Sequence, residues 1–164
     1  PDQKARLHFL NAAGQLLLLL TPCKSVGTTR FTAAESKYVV FGQRRIDEAF
    51  TSLTRSPNIP PYLAGRPISE VAADLRAGIL SPEQLPIQVY EFQGQLVTIN
   101  NRTLAALSEA GLRPTQIRFV SPSRQQRARL TETPLIDSPI PGPLIPVTPS
   151  KADLTILRVI EVPR

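Results

Sequence analysis

The spacing of apolar residues predicts three helices in the middle of the chain. In each one, apolar side chains recur every three or four positions, which places them on one helix face. The three sets are Ile46, Ala49, Phe50 and Leu53; Ile68, Val71, Ala72 and Leu75; and Leu104, Leu107 and Leu112. We expect helices over residues 44–53, from Ile68 towards Gly78, and over 102–110. Ser69 is a candidate cap of the second helix, while Gly78 and Gly111 can end the second and third in a left-handed conformation.

Runs of β-branched and aromatic residues predict the strands. These runs are Lys37–Phe41, Pro86–Phe92, Gln95–Ile99 and Ile117–Val120. Gln93 and Gly94 separate two of them and predict a hairpin, so the central order is strand, helix, hairpin, helix, strand. A further hairpin is predicted in the opening RLHFLNAAGQLLLLLTP, where the residues from Asn11 to Gly14 tolerate a tight reversal.

Two proline-rich segments are predicted to have irregular backbone structure. Three prolines precede Gly65 and a fourth follows it within Ser56–Pro67, which predicts a loop. Between Pro134 and Pro149 six of sixteen residues are proline, so we expect neither a strand ladder nor a helix there. Extended chain that wraps the domain surface is the favoured interpretation, and a disordered linker is the alternative. The closing LTILRVIEV predicts a strand that returns to the sheet.

Composition limits the chemistry that this chain can perform. Its 164 residues fit one domain, 1–164, and its formal charge of +6 comes from 15 Arg and 4 Lys against 13 acids. The arginine bias favours a phosphate-bearing polyanion as partner. One histidine, His8, and one cysteine, Cys23, exclude a metal site built on several nitrogen or sulfur ligands, and leave carboxylate-held ions such as Mg²⁺. Five leucines at 16–20 are too few to cross a bilayer, so no membrane span is expected.

The segment ISEVAADLRAGILSPEQLPIQVYEFQGQLVTINNRTLAALSEAGLRPTQIRFV resembles the ParB/sulfiredoxin-like domain over about fifty residues. In that family a helix precedes a "PI.V" strand, a hairpin and a helix ending near "AG". The resemblance is to the type found at the C-termini of bacterial polymorphic toxins, and LNAAGQL resembles the YD repeats of Rhs-type shell proteins. It implies an α+β fold with a ParB-like core over 37–120. The N-terminal hairpin extension would occupy 1–30, and a basic loop, proline-rich wrap and final strand would occupy 121–164.

The family's phosphate-binding turn matches Ile99–Thr103 here. A strand delivers the chain to a helix start, where free N–H groups and Arg102 favour an anion. The family's Gly and acidic residue are replaced by Asn100 and Asn101, its second Arg by Thr103, and the sulfiredoxin cysteine is absent. The resemblance implies that Arg102 holds a phosphate, that Asn100 and Asn101 orient it, and that Thr103 adds a donor. The alternative is an ordinary turn with an Asn cap and an exposed Arg.

Two further basic stretches are candidates for the same site. Gln43, Arg44 and Arg45 follow a strand end, and Arg44 or Arg45 would neutralise charge in the transition state. Arg124, Arg127 and Arg129 in SRQQRAR would track phosphates, unless they are a solvated basic loop. Asp47 and Glu48 are the first carboxylates to test for Mg²⁺, although acids in a helix's first turn need no such role.

The resemblance implies a secreted or delivered bacterial toxin domain, cut from a parent shell protein, that acts on nucleic acid in the target-cell cytoplasm. A nuclease that hydrolyses phosphodiester bonds of DNA or RNA is the leading expectation. One alternative is a nucleotide-using transferase toxin, which transfers ADP-ribosyl or nucleotidyl groups. Another is a non-catalytic module that binds nucleic acid or protein. A toxin also implies a cognate immunity protein, which we expect to be acidic because the toxin is basic.

Overall fold

The fold is α+β. The computed structural model describes residues 38–164 and the backbone of Thr29–Arg30, and within them it contains two mixed sheets and three helices. The strands are β1 (Thr29–Arg30), β2 (Val39–Phe41), β3 (Ile46–Asp47), β4 (Ile87–Phe92), β5 (Gln95–Thr98), β6 (Gln116–Phe119), β7 (Leu144–Thr148) and β8 (Arg158–Glu161). The helices are α1 (Ile68–Arg76), α2 (Asn101–Glu109) and α3 (Arg124–Ala128). The predicted hairpin around Asn11–Gly14 lies outside the described residues, as do His8 and Cys23.

The main sheet has the order β1-β6-β4-β5-β2. β4 and β5 form the predicted hairpin, whose two turn residues, Gln93 and Gly94, have φ angles of 50° and 78°. Positive φ at both central residues is the geometry of a type I′ turn, which matches the twist of the paired strands. β2 lies parallel to β5 and β6 lies parallel to β4. The predicted order of strand, helix, hairpin, helix, strand is therefore confirmed.

Helices α1 and α2 pack against each other over one face of this sheet, as their apolar spacing predicts. α1 buries all four residues of its predicted stripe, and α2 buries Leu104 and Leu107 fully. Both helices end next to glycines with positive φ, Gly78 at 72° and Gly111 at 74°. The prediction of Ser69 as a cap is wrong, because Pro67 occupies the cap position. The hydroxyl of Ser69 instead donates to Glu48.

The predicted helix over 44–53 is wrong. Ile46 and Asp47 form β3, which pairs in parallel with Val147 and Thr148 of β7. The backbone then continues in partnership with distant chain, since the N–H of Phe50 donates to the carbonyl of Arg66 at 2.9 Å. Hydrogen bonds from elsewhere in the fold therefore outweighed the local helical spacing.

The prediction that no ladder runs through the proline-rich segment is also wrong. β7 is the middle strand of a second sheet with the order β3-β7-β8. Pro146 is tolerated there because β3 pairs only with the two residues that follow it, so no β3 carbonyl needs a proline N–H. The predicted final strand is confirmed as β8, but it pairs antiparallel with β7 in this second sheet and does not return to the main sheet. Ile145 and Val147 are fully buried, so the second half of the segment builds core, whereas residues 134–140 lie exposed or half-buried.

The predicted loop around Ser123–Arg129 contains a short helix instead. In α3 the Ser123 side chain accepts the N–H of Gln126, and the Gln126 side chain accepts the N–H of Ser123. This reciprocal cap supplies partners for two amide groups at the helix start. The chain then crosses the second face of the main sheet, where Leu130 packs with Val40 and Val97.

The tail and the main sheet meet at the carboxyl end of β2. Phe41 and Gly142 exchange backbone hydrogen bonds of 2.9 and 3.1 Å. Because the tail docks on β2, five parts of the chain converge on one region: the ends of β2 and β5, the strand β3, the start of α2 and the residues after β7.

None of the described helices is long and apolar enough to span a membrane.

Candidate anion-binding site

A cleft of about 910 Å³ opens in this region. It brings together most of the residues that the sequence analysis selected from separate turns. Those that line it are Gln43, Arg44, Arg45, Asp47, Asn100, Asn101, Arg102, Thr103 and Arg129. Glu48, Arg124 and Arg127 do not line the cleft; the two arginines lie exposed on α3.

The two asparagines at the start of α2 fix the turn rather than cap the helix. Asn101 is 4% exposed, and its Oδ1 accepts the N–H of Gly42 at 2.8 Å. Asn100 stands at the cap position without a capping bond; its Oδ1 accepts the N–H of Gln88 at 2.7 Å. The amide oxygens therefore tie the start of α2 to β2 and β4. This bracing replaces the predicted cap role. A phosphate would bind the amide Nδ2 groups of these side chains, because an amide oxygen only accepts hydrogen bonds.

Gly42 is required for the same junction. A Cβ atom at this position would lie 2.6 Å from Val97 Cγ1 and 3.1 Å from the carbonyl oxygen of Thr98. Because glycine has no Cβ, the backbone after β2 can pass close to β5, and the N–H of Gly42 can donate to Asn101. The strand exit and the helix start are consequently held against each other.

The amino end of α2 presents donors to the cleft. The first bond along the helix runs from the N–H of Leu104 to the carbonyl of Asn100 at 3.0 Å. Among the described residues, no acceptor is recorded for the N–H groups of Asn101, Arg102 and Thr103. The first turn of this nine-residue helix carries partial positive charge, which attracts anions.

Arg102 is held beside this helix start by residues of β3 and the following turn. Its Nη2 donates to Asp47 Oδ2 at 3.2 Å, its Nε to the carbonyl of Asp47 at 3.4 Å, and its Nη1 to Thr51 Oγ1 at 3.1 Å. Burial lowers the pKa of the Arg102 guanidinium, the Asp47 carboxylate offsets part of that effect, and Arg129 and Arg45 lower it further. Arg129 and Arg45 therefore lie near enough to Arg102 to repel its charge.

Arg44 and Arg45 differ sharply in their surroundings. The side chain of Arg45 is 12% exposed and donates to Asp47 Oδ1 at 2.6 Å, to Thr148 Oγ1 at 2.8 Å and to the carbonyl of Lys151 at 3.1 Å. Arg44 is 36% exposed, and among the described residues it pairs with one carboxylate, that of Glu132, at 3.8 Å. Arg45 is thus committed to the fold, whereas Arg44 is available to a ligand.

Several lining residues escaped the sequence analysis because nothing local marks them. Lys151 arrives from the proline-rich tail, and Gln125 from the helix predicted as a loop. The opposite wall comes from the 56–63 loop and the approach to β4; it includes Asn58, Ile59, Pro60, Gln84 and Pro86. Of the described side chains lining the cleft, five are basic (Arg44, Arg45, Arg102, Arg129, Lys151) and two are acidic (Asp47, Glu132).

The structure does not bring Asp47 and Glu48 together as metal ligands. The Asp47 oxygens are bound by Arg45 and Arg102, so a divalent cation there would lie beside two guanidinium groups. Glu48 bonds instead to Arg158 and Ser69. Burial raises the pKa of Glu48, but these bonds outweigh it and leave that pKa lowered. No group of three or more metal-binding side chains occurs in the described part of the chain, and these residues do not fit Mg²⁺.

Comparisons with protein-family models, curated proteins and solved structures found no match for this chain. A proposal about function therefore depends on the chemistry of the cleft. That chemistry is a helix start with unbound N–H groups, a positioned guanidinium and an excess of basic over acidic side chains.

Proposed function

We propose that this chain is a bacterial toxin domain that binds the phosphate backbone of nucleic acid in this cleft and cleaves it in the cytoplasm of a target cell. One observation carries the proposal: the amino end of α2, with Arg102, lines a cleft that contains five basic and two acidic side chains among the described residues. Backbone amides and guanidinium groups in a partly enclosed site stabilise the charge that develops on a phosphodiester during cleavage.

The lining residues suggest separate roles. Arg102 and the start of α2 bind the scissile phosphate. Arg44, Arg129 and Lys151 neutralise the developing charge, and no carboxylate forms a hydrogen bond with any of them in the described structure. Arg124 and Arg127 lie exposed on α3, next to Arg129, and extend the basic surface for neighbouring phosphates of a polymer. The ParB/sulfiredoxin resemblance supports the same turn as the phosphate-binding element.

The test compares the wild-type domain with two arginine variants. Arg102→Ala removes the positioned guanidinium, and Arg118→Ala removes an exposed arginine on β6 that does not line the cleft. Each is expressed inducibly in a bacterial cytosol and also purified, folded, for incubation with plasmid DNA and total RNA. We expect degradation and killing with wild type and Arg118→Ala, and a loss of at least about 100-fold with Arg102→Ala. Full activity of a folded Arg102→Ala protein would refute the proposal.

A nucleotide-using transferase is the second candidate, supported by the opposite wall of the cleft. Ile59 and Pro60 offer apolar surface there, next to the amide side chains of Asn58 and Gln84. This mixture and the cleft volume suit a base and ribose beside a bound phosphate. Consumption of a soluble nucleotide with intact DNA and RNA would favour this candidate. Salt-sensitive nucleic-acid binding without turnover would instead indicate a binding module.

The toxin proposal includes two protein partners. An acidic immunity protein would cover the basic cleft, and a parent secretion or shell protein would release the domain. Co-expression with a protein encoded beside the toxin should suppress killing and block binding of labelled DNA or RNA. Suppression without any loss of binding would place the immunity contact away from the cleft.

A further inference from the structure

The guanidinium of Arg102 keeps two donors for a ligand. Of its five N–H groups, one on Nε, one on Nη1 and one on Nη2 are committed to Asp47 and Thr51. One N–H on each terminal nitrogen has no acceptor among the described residues. Two N–H groups on a fixed fork are what a phosphate accepts in a bidentate pair.

Asp47 opposes anion binding by its charge and assists it by its geometry. Its carboxylate adds one of the two negative charges in the cleft lining, which lowers the attraction for every anion. The same carboxylate, with the Asp47 carbonyl, makes two of the three bonds that hold Arg102. Arg45 binds its other oxygen and is itself fastened to Thr148, so Asp47 is rigidly supported.

We infer that Asp47 is a positioning residue that acts through Arg102 and sets the specificity of the cleft for tetrahedral phosphate over anions bound by charge alone. The inference rests on the proposed phosphate-binding function. A freely rotating arginine binds any anion through its charge. A guanidinium held in one orientation binds most tightly an anion whose oxygens match the positions of its two N–H donors. Asp47 therefore lowers overall affinity and raises selectivity.

The cleft supplies a matched control in Glu132. This carboxylate also lines the cleft, but in the described structure its ion pair is with Arg44 at 3.8 Å and it makes no hydrogen bond to Arg102. Asp47→Asn and Glu132→Gln each remove one negative charge from the same lining. Only the first removes a charged partner of the positioned guanidinium.

The experiment measures displacement of a fluorescent single-stranded oligonucleotide by inorganic phosphate and by chloride at equal ionic strength. We expect both variants to bind chloride about fivefold more tightly than wild type, because each loses a repelling charge. Because phosphate at about pH 7 carries more negative charge than chloride, Glu132→Gln should raise the ratio of phosphate to chloride affinity, and it gives the ratio expected from the loss of one repelling charge. Asp47→Asn should give a ratio about tenfold below that of Glu132→Gln, and Asp47→Glu should recover part of the selectivity. Equal ratios in Asp47→Asn and Glu132→Gln would overturn the inference.

Two arrangements keep the result decisive. If Asp47→Asn does not fold, Thr51→Val removes one bond to Arg102 without changing charge and should lower the ratio while leaving chloride affinity unchanged; an unchanged ratio overturns the inference. Cleavage of DNA and RNA by wild type is measured in parallel. Absence of cleavage with an Asp47-dependent ratio refutes the nuclease and supports the inference, whereas cleavage with an Asp47-independent ratio overturns the inference alone.

Discussion

Two clusters of arginine and carboxylate lie around β3, and they differ in the balance of charge. Asp47 and Glu48 are consecutive, yet Asp47 joins Arg45 and Arg102 in the cleft while Glu48 joins Arg158 on another surface. The cleft cluster has two cations for one carboxylate. The second cluster has one cation, Arg158, for two carboxylates, because Arg158 also donates to Glu109 at 2.8 Å.

The difference in charge balance indicates that the cleft cluster can bind a ligand, whereas the second cluster stabilises the fold. Excess positive charge in the cleft cluster can be balanced by an incoming anion, so the cluster suits binding. In the second cluster, burial lowers the pKa of Arg158 but the two carboxylates outweigh this and raise it. That arginine joins β8 to Glu48, which directly follows β3, and to Glu109 at the end of α2, so its charge is already balanced by two carboxylates. The same residue types thus serve binding or stability according to which charge is in excess.

The largest expected effect comes from breaking the second cluster. Arg158→Ala leaves Glu48 and Glu109, whose side chains are 21% and 19% exposed, without their shared cation. We expect the free energy of unfolding to fall by about 2–3 kcal/mol, measured by urea denaturation. Arg164→Ala is the control, since its side chain is 88% exposed and should cost less than about 0.5 kcal/mol. Equal effects of the two changes would contradict the structural assignment.

An intermediate effect should distinguish the adjacent arginines of the cleft. Arg45→Ala removes donors to Asp47, Thr148 and the tail, and should lower the free energy of unfolding by about 1–2 kcal/mol. Arg44→Ala should change stability by less than about 0.5 kcal/mol. Titration of oligonucleotide binding against salt should instead show Arg44→Ala with a log–log slope reduced by about one. A stable Arg45→Ala protein would show that the tail does not support the cleft.

The smallest effect is a pH dependence that arises in the second cluster. The pKa of Glu48 in the folded state is lowered from its ordinary value of 4.5. Its contribution to stability is therefore fully present above pH 4.5 and is lost as the pH falls through the lowered value. We expect Glu48→Gln to make urea midpoints fall less steeply than wild type below pH 4.5. Glu91→Gln, at an exposed position on β4, should retain the wild-type slope.

Local pattern predicted those elements whose partners lie close along the chain. The helices α1 and α2 and the turn at Gln93–Gly94 were correct, because helical spacing and turn residues act over a few positions. The predictions for residues 44–53 and for the proline-rich segment were wrong for one shared reason. β3 and β7 pair with each other across about a hundred residues, and neither sequence contains a sign of its partner.

The candidate site divides in the same way. Arg102 was identified because its turn resembles a phosphate-binding turn, and because a strand followed by a helix start has unbound N–H groups. Lys151 and the bracing roles of Asn100 and Asn101 could not be predicted, since they depend on contacts with β2, β4 and the tail. From the sequence, Asp47 and Glu48 are equivalent candidates for metal ligands. In the structure they pair with different arginines, Asp47 with Arg102 and Glu48 with Arg158.

The sequence by itself determined the central order of elements, the basic character and the turn at Arg102, because these follow from periodicity, composition and short-range geometry. The tertiary structure alone decided which arginines are committed and which are available. It did so by bringing Thr148 and Lys151 against Arg45, and Asp47 against Arg102, across distances that local pattern does not encode. Charge balance in the cleft is a property of that assembly, because each ion pair joins residues whose proximity depends on the completed core.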